Sequence, residues 1–247
     1  MVRNFIGALL FSFALACACI EAKSANASEG ASAAAPVESQ DITDKIVGDW
    51  ESYDSSIVNF FEKYGSAYKF LFSFEDNAPM DNSFEKRRIA ISMKNASLKQ
   101  VLAKIVEANP DLRWELNDNV INMMRGDLNK DKRWELNYVA PKVDITANPE
   151  LLGSVFKKED ILQELNPMVM FDPESIDKRT QRFKSPELTI KERNKSVRTL
   201  LNIYLNAYRE AGYISYWSYV QSYNGKYRLS VLKIGEIKKP AVKAASK

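Results

Sequence analysis

Two stretches of this chain, RIAISMKNASLKQVLAKI (88–105) and ELTIKERNKSVRTLLNIY (187–204), align without a gap. Asn95 falls on Asn194, Ser97 on Ser196, Leu98 on Val197, Val101 on Leu200 and Leu102 on Leu201. Each begins with apolar residues at a period of two and continues with apolar residues three or four apart, the signature of a strand running into a helix. Two short strand patterns follow in both places: LRWEL and VINMM in the first, YISYW and YRLSV in the second. Such recurrence points to an internal repeat, which constrains the fold. The pattern predicts an α+β protein made of two related units, each with helices packed on short mixed sheets.

The first copy can be followed residue by residue. From Ile42 the apolar positions Ile46, Trp50, Tyr53, Ile57, Phe60, Phe61 and Tyr64 recur every three or four residues, predicting a helix over at least 55–64 that Gly65 ends. Tyr68, Phe70, Phe72 and Phe74 then alternate as in a strand, as do Ile89, Ile91 and Met93. Ser97 and Gln100 have the spacing of a capping box, and Asn109-Pro110 closes the helix they open. Asn117-Asp118-Asn119 reads as the turn of a hairpin. The order is helix, strand, strand, helix, strand, strand. Arg113-Trp-Glu-Leu-Asn recurs at Arg133, and alternation predicts half-buried strands for both. Ahead of the second copy, Leu151 to Leu165 carry helical spacing and Met168 to Phe171 a strand pattern.

Outside this region the chain carries an address. Arg3 precedes an uncharged apolar run from Phe5 to Ile20, and Ala25-Asn26-Ala27 follows at the distance of a signal-peptide cleavage site. The run is shorter than the roughly 20 residues a spanning helix needs. Cys17 and Cys19 lie inside it, each in a loose match to the bacterial lipobox, so acylation there is a second exit beside cleavage after Ala27. Residues 28–41 are an Ala/Ser-rich linker and 237–247 a disordered tail. The organisation is therefore signal peptide 1–27, linker 28–41, first unit 42–126, connection 127–147, second unit 148–236 and tail. Cleavage would lower the formal charge of +3 by one. A chain this near neutrality, with both signs interspersed, has no footprint for nucleic acid.

Composition removes most chemistry. There is no histidine, which excludes Ser-His-Asp and Cys-His catalysis and imidazole metal sites, and the body of the protein has no cysteine for zinc or iron–sulfur ligation. Asp127, Asn129 and Asp131 begin like a calcium loop, but Lys132 and Tyr138 stand where glycine and glutamate are required. Ser83 to Lys86 and Ser154 to Lys157 match Ser-x-x-Lys without its partner motifs, and no glycine pattern supports a nucleotide. No metal or cofactor is expected. Lys86-Arg87-Arg88 and Lys238-Lys239 read as solvated ends, Arg125-Gly126-Asp127 as a turn, and Asn95/Ser97 and Asn194/Ser196 as turn and cap residues.

The segment SIVNFFEKYGSAYKFLFSFE together with the pattern of Ile89, Ile91, Asn95, Ser97, Leu98, Val101 and Leu102, then Trp114 and Val120-Ile121, resembles the short N-terminal (STN) domain shared by bacterial secretins and TonB-dependent receptors. The resemblance covers about 55–124, and 150–234 more loosely. It implies a small α/β sandwich of the bacterial envelope that docks other proteins. No barrel or secretin domain follows in this sequence and the domain is doubled, so a pore or receptor role does not carry over. The expected function is an exported, non-catalytic protein-binding or assembly module, located in the periplasm or at the outer membrane, with a membrane contact only through a lipid anchor. The rivals are a carbohydrate-binding lipoprotein, with a glycan as partner, and a histidine-free envelope hydrolase. Seven of the eleven tyrosines lie between 204 and 227. Within that stretch Tyr216, Trp217, Tyr219 and Tyr223 are the candidate binding surface, against the alternative that they are core.

Overall fold

Residues 47–56 form a strand rather than the start of a helix. The computed structural model describes residues 41–79, 82–148, 152, 186–221 and 227–237. After a short helix α1 (Ile42–Lys45), β1 (Val47–Ser56) pairs antiparallel with β3 (Arg88–Ser97). The helical spacing of Ile46, Trp50, Tyr53 and Ile57 misleads because β1 is irregular: its register shifts twice and Asp54 has φ 115°. Two bulges convert a period of two into a spacing of three. Helix α2 (Ile57–Tyr68) starts where Ser56 accepts a hydrogen bond from the Asn59 amide, and it ends at Lys69 in the left-handed region. Gly65 lies inside it instead of ending it. A Cβ there would come within 2.7 Å of the Phe72 ring, so glycine lets α2 approach the strand beneath it.

That strand, β2 (Leu71–Asp76), is the centre of the molecule. Beside it lies the hairpin of β4 (Leu112–Asn117) and β5 (Val120–Arg125), which follows α3 (Leu98–Ala108). The connection supplies the two-residue β6 (Val139–Ala140) and β7 (Val143–Ala147), and the second copy β8 (Leu188–Glu192), β9 (Lys195–Ser196), α4 (Val197–Glu210), β10 (Tyr213–Gln221) and β11 (Tyr227–Glu236). The strand order of the main sheet is β11-β10-β2-β5-β4, with β2 parallel to both β10 and β5. One mixed five-stranded sheet thus takes strands from both copies.

Alternation along the strands divides the interior into two cores. Phe72 and Phe74 of β2, Ile121 and Met123 of β5 and Tyr216 of β10 join α2, α3 and the β1–β3 ladder on one face. Leu71, Val120, Met124, Trp217 and Tyr219 join α4 and the β7–β8 ladder on the other. With both faces covered, all six residues of β2 are buried. The molecule is an α+β sandwich in which a shared sheet lies between one layer from each half. The described residues belong to one compact unit, Gln40–Lys247.

The repeat is visible in local geometry. Asn95 and Asn194 have φ 47° and 52°, and Ser97 and Ser196 each cap the helix that follows by accepting from the third helical amide. At Ser97 the reciprocal bond from Gln100 completes the capping box. Asp118 and Asn119 both have positive φ, as a two-residue turn between β4 and β5 requires. The second Arg-Trp-Glu-Leu-Asn departs from expectation: Glu135–Asn137 is a 3-10 turn, with Trp134 buried beside it. The expected strand at 168–171 lies outside the described residues.

Leu102 and Leu201 occupy equivalent positions in α3 and α4, and both are fully buried. Alanine at either site should cost about 2–5 kcal/mol of unfolding free energy. Urea titration of the two variants checks this; a loss near zero at either position would contradict the burial described.

Candidate functional site

The aromatic cluster is core. Tyr216, Trp217 and Tyr219 are 3%, 0% and 0% exposed, so these three do not form the surface expected of them, and Tyr223 lies outside the described residues. The reason is the shared sheet: a strand with an aromatic face on each side is covered by the first copy on one side and its own helix on the other. Each polar tip has a partner. Tyr216 donates to Glu62 at 2.7 Å, Trp217 to Asn202 at 3.0 Å and Tyr219 to Glu135 at 2.7 Å. Burial, with those carboxylates close by, pushes both phenols above the ordinary tyrosine value. Cys17 and Cys19 also lie outside the described residues.

Polar chemistry is instead gathered at two places on β2. Glu75 points into the second core, fully buried, and accepts from Arg198 at 2.5 and 2.7 Å and from the Trp134 indole at 2.8 Å. The third arm of Arg198 donates to Asn137 at 2.6 Å. With each charged atom bonded inside the fold, this is a clamp between the copies.

The next residue, Asp76, starts a chain of charges that runs outward to an open face. Its carboxylate accepts from the Ala78 amide at 2.9 Å and the Phe84 amide at 3.1 Å, folding the loop after β2 back on the strand end. It also accepts from Arg125 Nε at 2.7 Å. Arg125 reaches on to Asp111 and to the Asn82 carbonyl, and Asp111 receives a two-pronged bond from Arg87 at 2.5 and 2.7 Å. Asp76 is buried, Arg87 half-buried and Asp111 43% exposed at its side chain, so the chain climbs from core to solvent. At its outer end lies an open groove of about 300 Å³, lined by Asn82, Lys86, Arg87, Arg88 and Asn109. Lys86 and Arg88 are exposed; Arg88 is steadied by one bond of 3.1 Å to the Asp54 carbonyl.

Reading Lys86-Arg87-Arg88 as solvated ends missed this arrangement. Arg87 turns inward to an aspartate from another loop, while its two neighbours turn outward over the cavity. The one signal available was three consecutive cations at the start of an alternating strand. Among the described residues no group of three acidic or sulfur side chains is placed to hold a metal ion. Nor is any helix among them long and apolar enough to cross a membrane. No family model, curated protein or solved structure matches this chain.

Two measurements test these clusters. Arg198→Met should cost about 3–5 kcal/mol, because it strands a buried carboxylate, whereas Glu75→Gln combined with Arg198→Met should recover part of that loss in urea titration. At the groove, the Arg87 bond is the main cause holding the Asp111 carboxyl below its usual value of 3.8. A carboxyl lowered by folding stabilises the native state above its unfolded value, and that contribution fades as pH falls through the folded value. Arg87→Gln should therefore raise the Asp111 value in an NMR titration; an unchanged value would contradict the pairing.

Proposed function

We propose that this chain is an exported, non-catalytic binding and assembly module of the bacterial cell envelope, and that it docks a partner protein through the basic groove at the end of β2. The observation that carries the reading is the groove itself. It is an open cavity walled by cations whose supporting loop is pinned to the central strand by Asp76 and Arg125. A rigid frame with exposed charges at its rim suits recognition, since preorganised groups lose little freedom on binding. The apolar leader with Ala25-Asn26-Ala27 supports export, and the likeness of 55–124 to the short N-terminal domain of envelope proteins supports a docking role. The carbohydrate reading loses its main support, because Tyr216, Trp217 and Tyr219 are interior.

The test is made in a bacterium with two membranes. The tagged chain should fractionate with the periplasm or outer membrane. A photo-cross-linking residue in place of Arg88 should trap one defined protein, while the same residue in place of Lys191 on β8 should not. Recovery in the cytoplasm, or identical cross-links from both positions, would overturn the reading.

A further inference from the structure

We infer that the groove recognises an extended acidic segment of its partner, with Lys86 and Arg88 contacting carboxylates and Arg87 holding the two in place. The inference rests on the docking role proposed above and adds the chemistry of the partner.

The charge balance favours an anion. Among the described residues, Lys86, Arg87, Arg88 and Arg125 stand around the groove, against Asp76, Glu85 and Asp111. Both aspartates are already engaged by guanidinium groups, Asp111 by two of them. Glu85, next to Lys86, is an exposed carboxylate at the same rim. Among the described residues Lys86 and Arg88 form no ion pair, unlike Arg87 and Arg125.

The type of anion follows from the donors. Compact phosphate sites are usually built from converging backbone N–H groups. Here several of those groups, among the described residues, are occupied. The Ala78 and Phe84 amides bond Asp76, the Asn82 amide bonds the Pro79 carbonyl, and the Lys86 and Arg87 amides bond the Ser83 carbonyl. The amide of Asn109 is turned to the Ile105 carbonyl, which leaves its oxygen towards Arg87. What remains is a pair of long cationic side chains along an open groove. That arrangement matches carboxylates spaced along a peptide rather than one enclosed phosphate. Arg87 differs from its neighbours: its fork is closed on Asp111, so it orients the loop and does not contact the partner.

Fluorescence anisotropy of the purified full chain with a labelled Glu/Asp-rich peptide tests this, using a Gln/Asn-rich peptide of equal length as control. The acidic peptide should bind and the neutral one should not. Binding should weaken as salt rises past about 0.15 M, where the screening length is about 8 Å. The double change Lys86→Gln with Arg88→Gln should weaken it about tenfold, and Lys86→Arg with Arg88→Lys should restore it. Both side chains are exposed, so thermal unfolding of the variants should match wild type. Failure to bind the acidic peptide, equal binding of the neutral one, or insensitivity to the double change would overturn the inference. So would a Lys86- and Arg88-dependent preference for inorganic phosphate or for phosphatidylglycerol vesicles over the peptide. A partner trapped in cells through Arg88 that carries no acidic segment would remove the inference and leave the docking role. Peptide binding by a chain that stays in the cytoplasm would do the reverse.

Discussion

The bond between Glu75 and Arg198 joins the end of β2 to the first turn of α4, positions remote in sequence and buried in the fold. A buried charge pair contributes little net stability, because desolvation offsets most of its attraction. Its effect is on arrangement. Any register of β10 against β2 that leaves Glu75 without Arg198 and Trp134 nearby would bury an unpaired carboxylate. One placement of the second copy on the first satisfies it, and the shared sheet follows.

From that placement comes the distribution of aromatic residues. Joined to β2, β10 has the first copy's α2 and β1–β3 ladder over one face and α4 over the other. Tyr216 stacks on Phe72 in one core, with ring centres 4.7 Å apart, while Trp217 and Tyr219 fill the other. A strand that looked too aromatic for a one-sided sheet is normal for the centre of a three-layer sandwich. The end of β2 carries Asp76, so the residue that follows the clamp also anchors the groove loop.

Much of this was legible locally. Ser97, Gln100 and Ser196 specify caps through bonds to their own neighbourhood, and Asn95, Asn194 and the Asp118-Asn119 turn adopt the positive φ that these residue types tolerate. Where the pattern misled, tertiary contact had overridden it. Bulges gave β1 a helical spacing, Gly65 serves a close approach rather than a helix end, and the second Arg-Trp-Glu-Leu-Asn coils because Trp134 is drawn to Glu75. The parallel pairing of β10 with β2 has no local signature, since its partners lie far apart in the chain. Nor does the groove, whose walls come from the loop before β3 and the end of α3, and whose lock on Arg87 is an aspartate beyond both.

If the copies form one cooperative body around β2, native-state hydrogen exchange should report it most directly. The account predicts that amides bonded between β10 and β2 exchange with the same opening free energy as those between β2 and β5, equal to that of global unfolding. Exchange of the β10–β11 and α4 amides through a separate, lower-energy opening, with β2 and β5 still protected, would show two independently folding units and contradict the account.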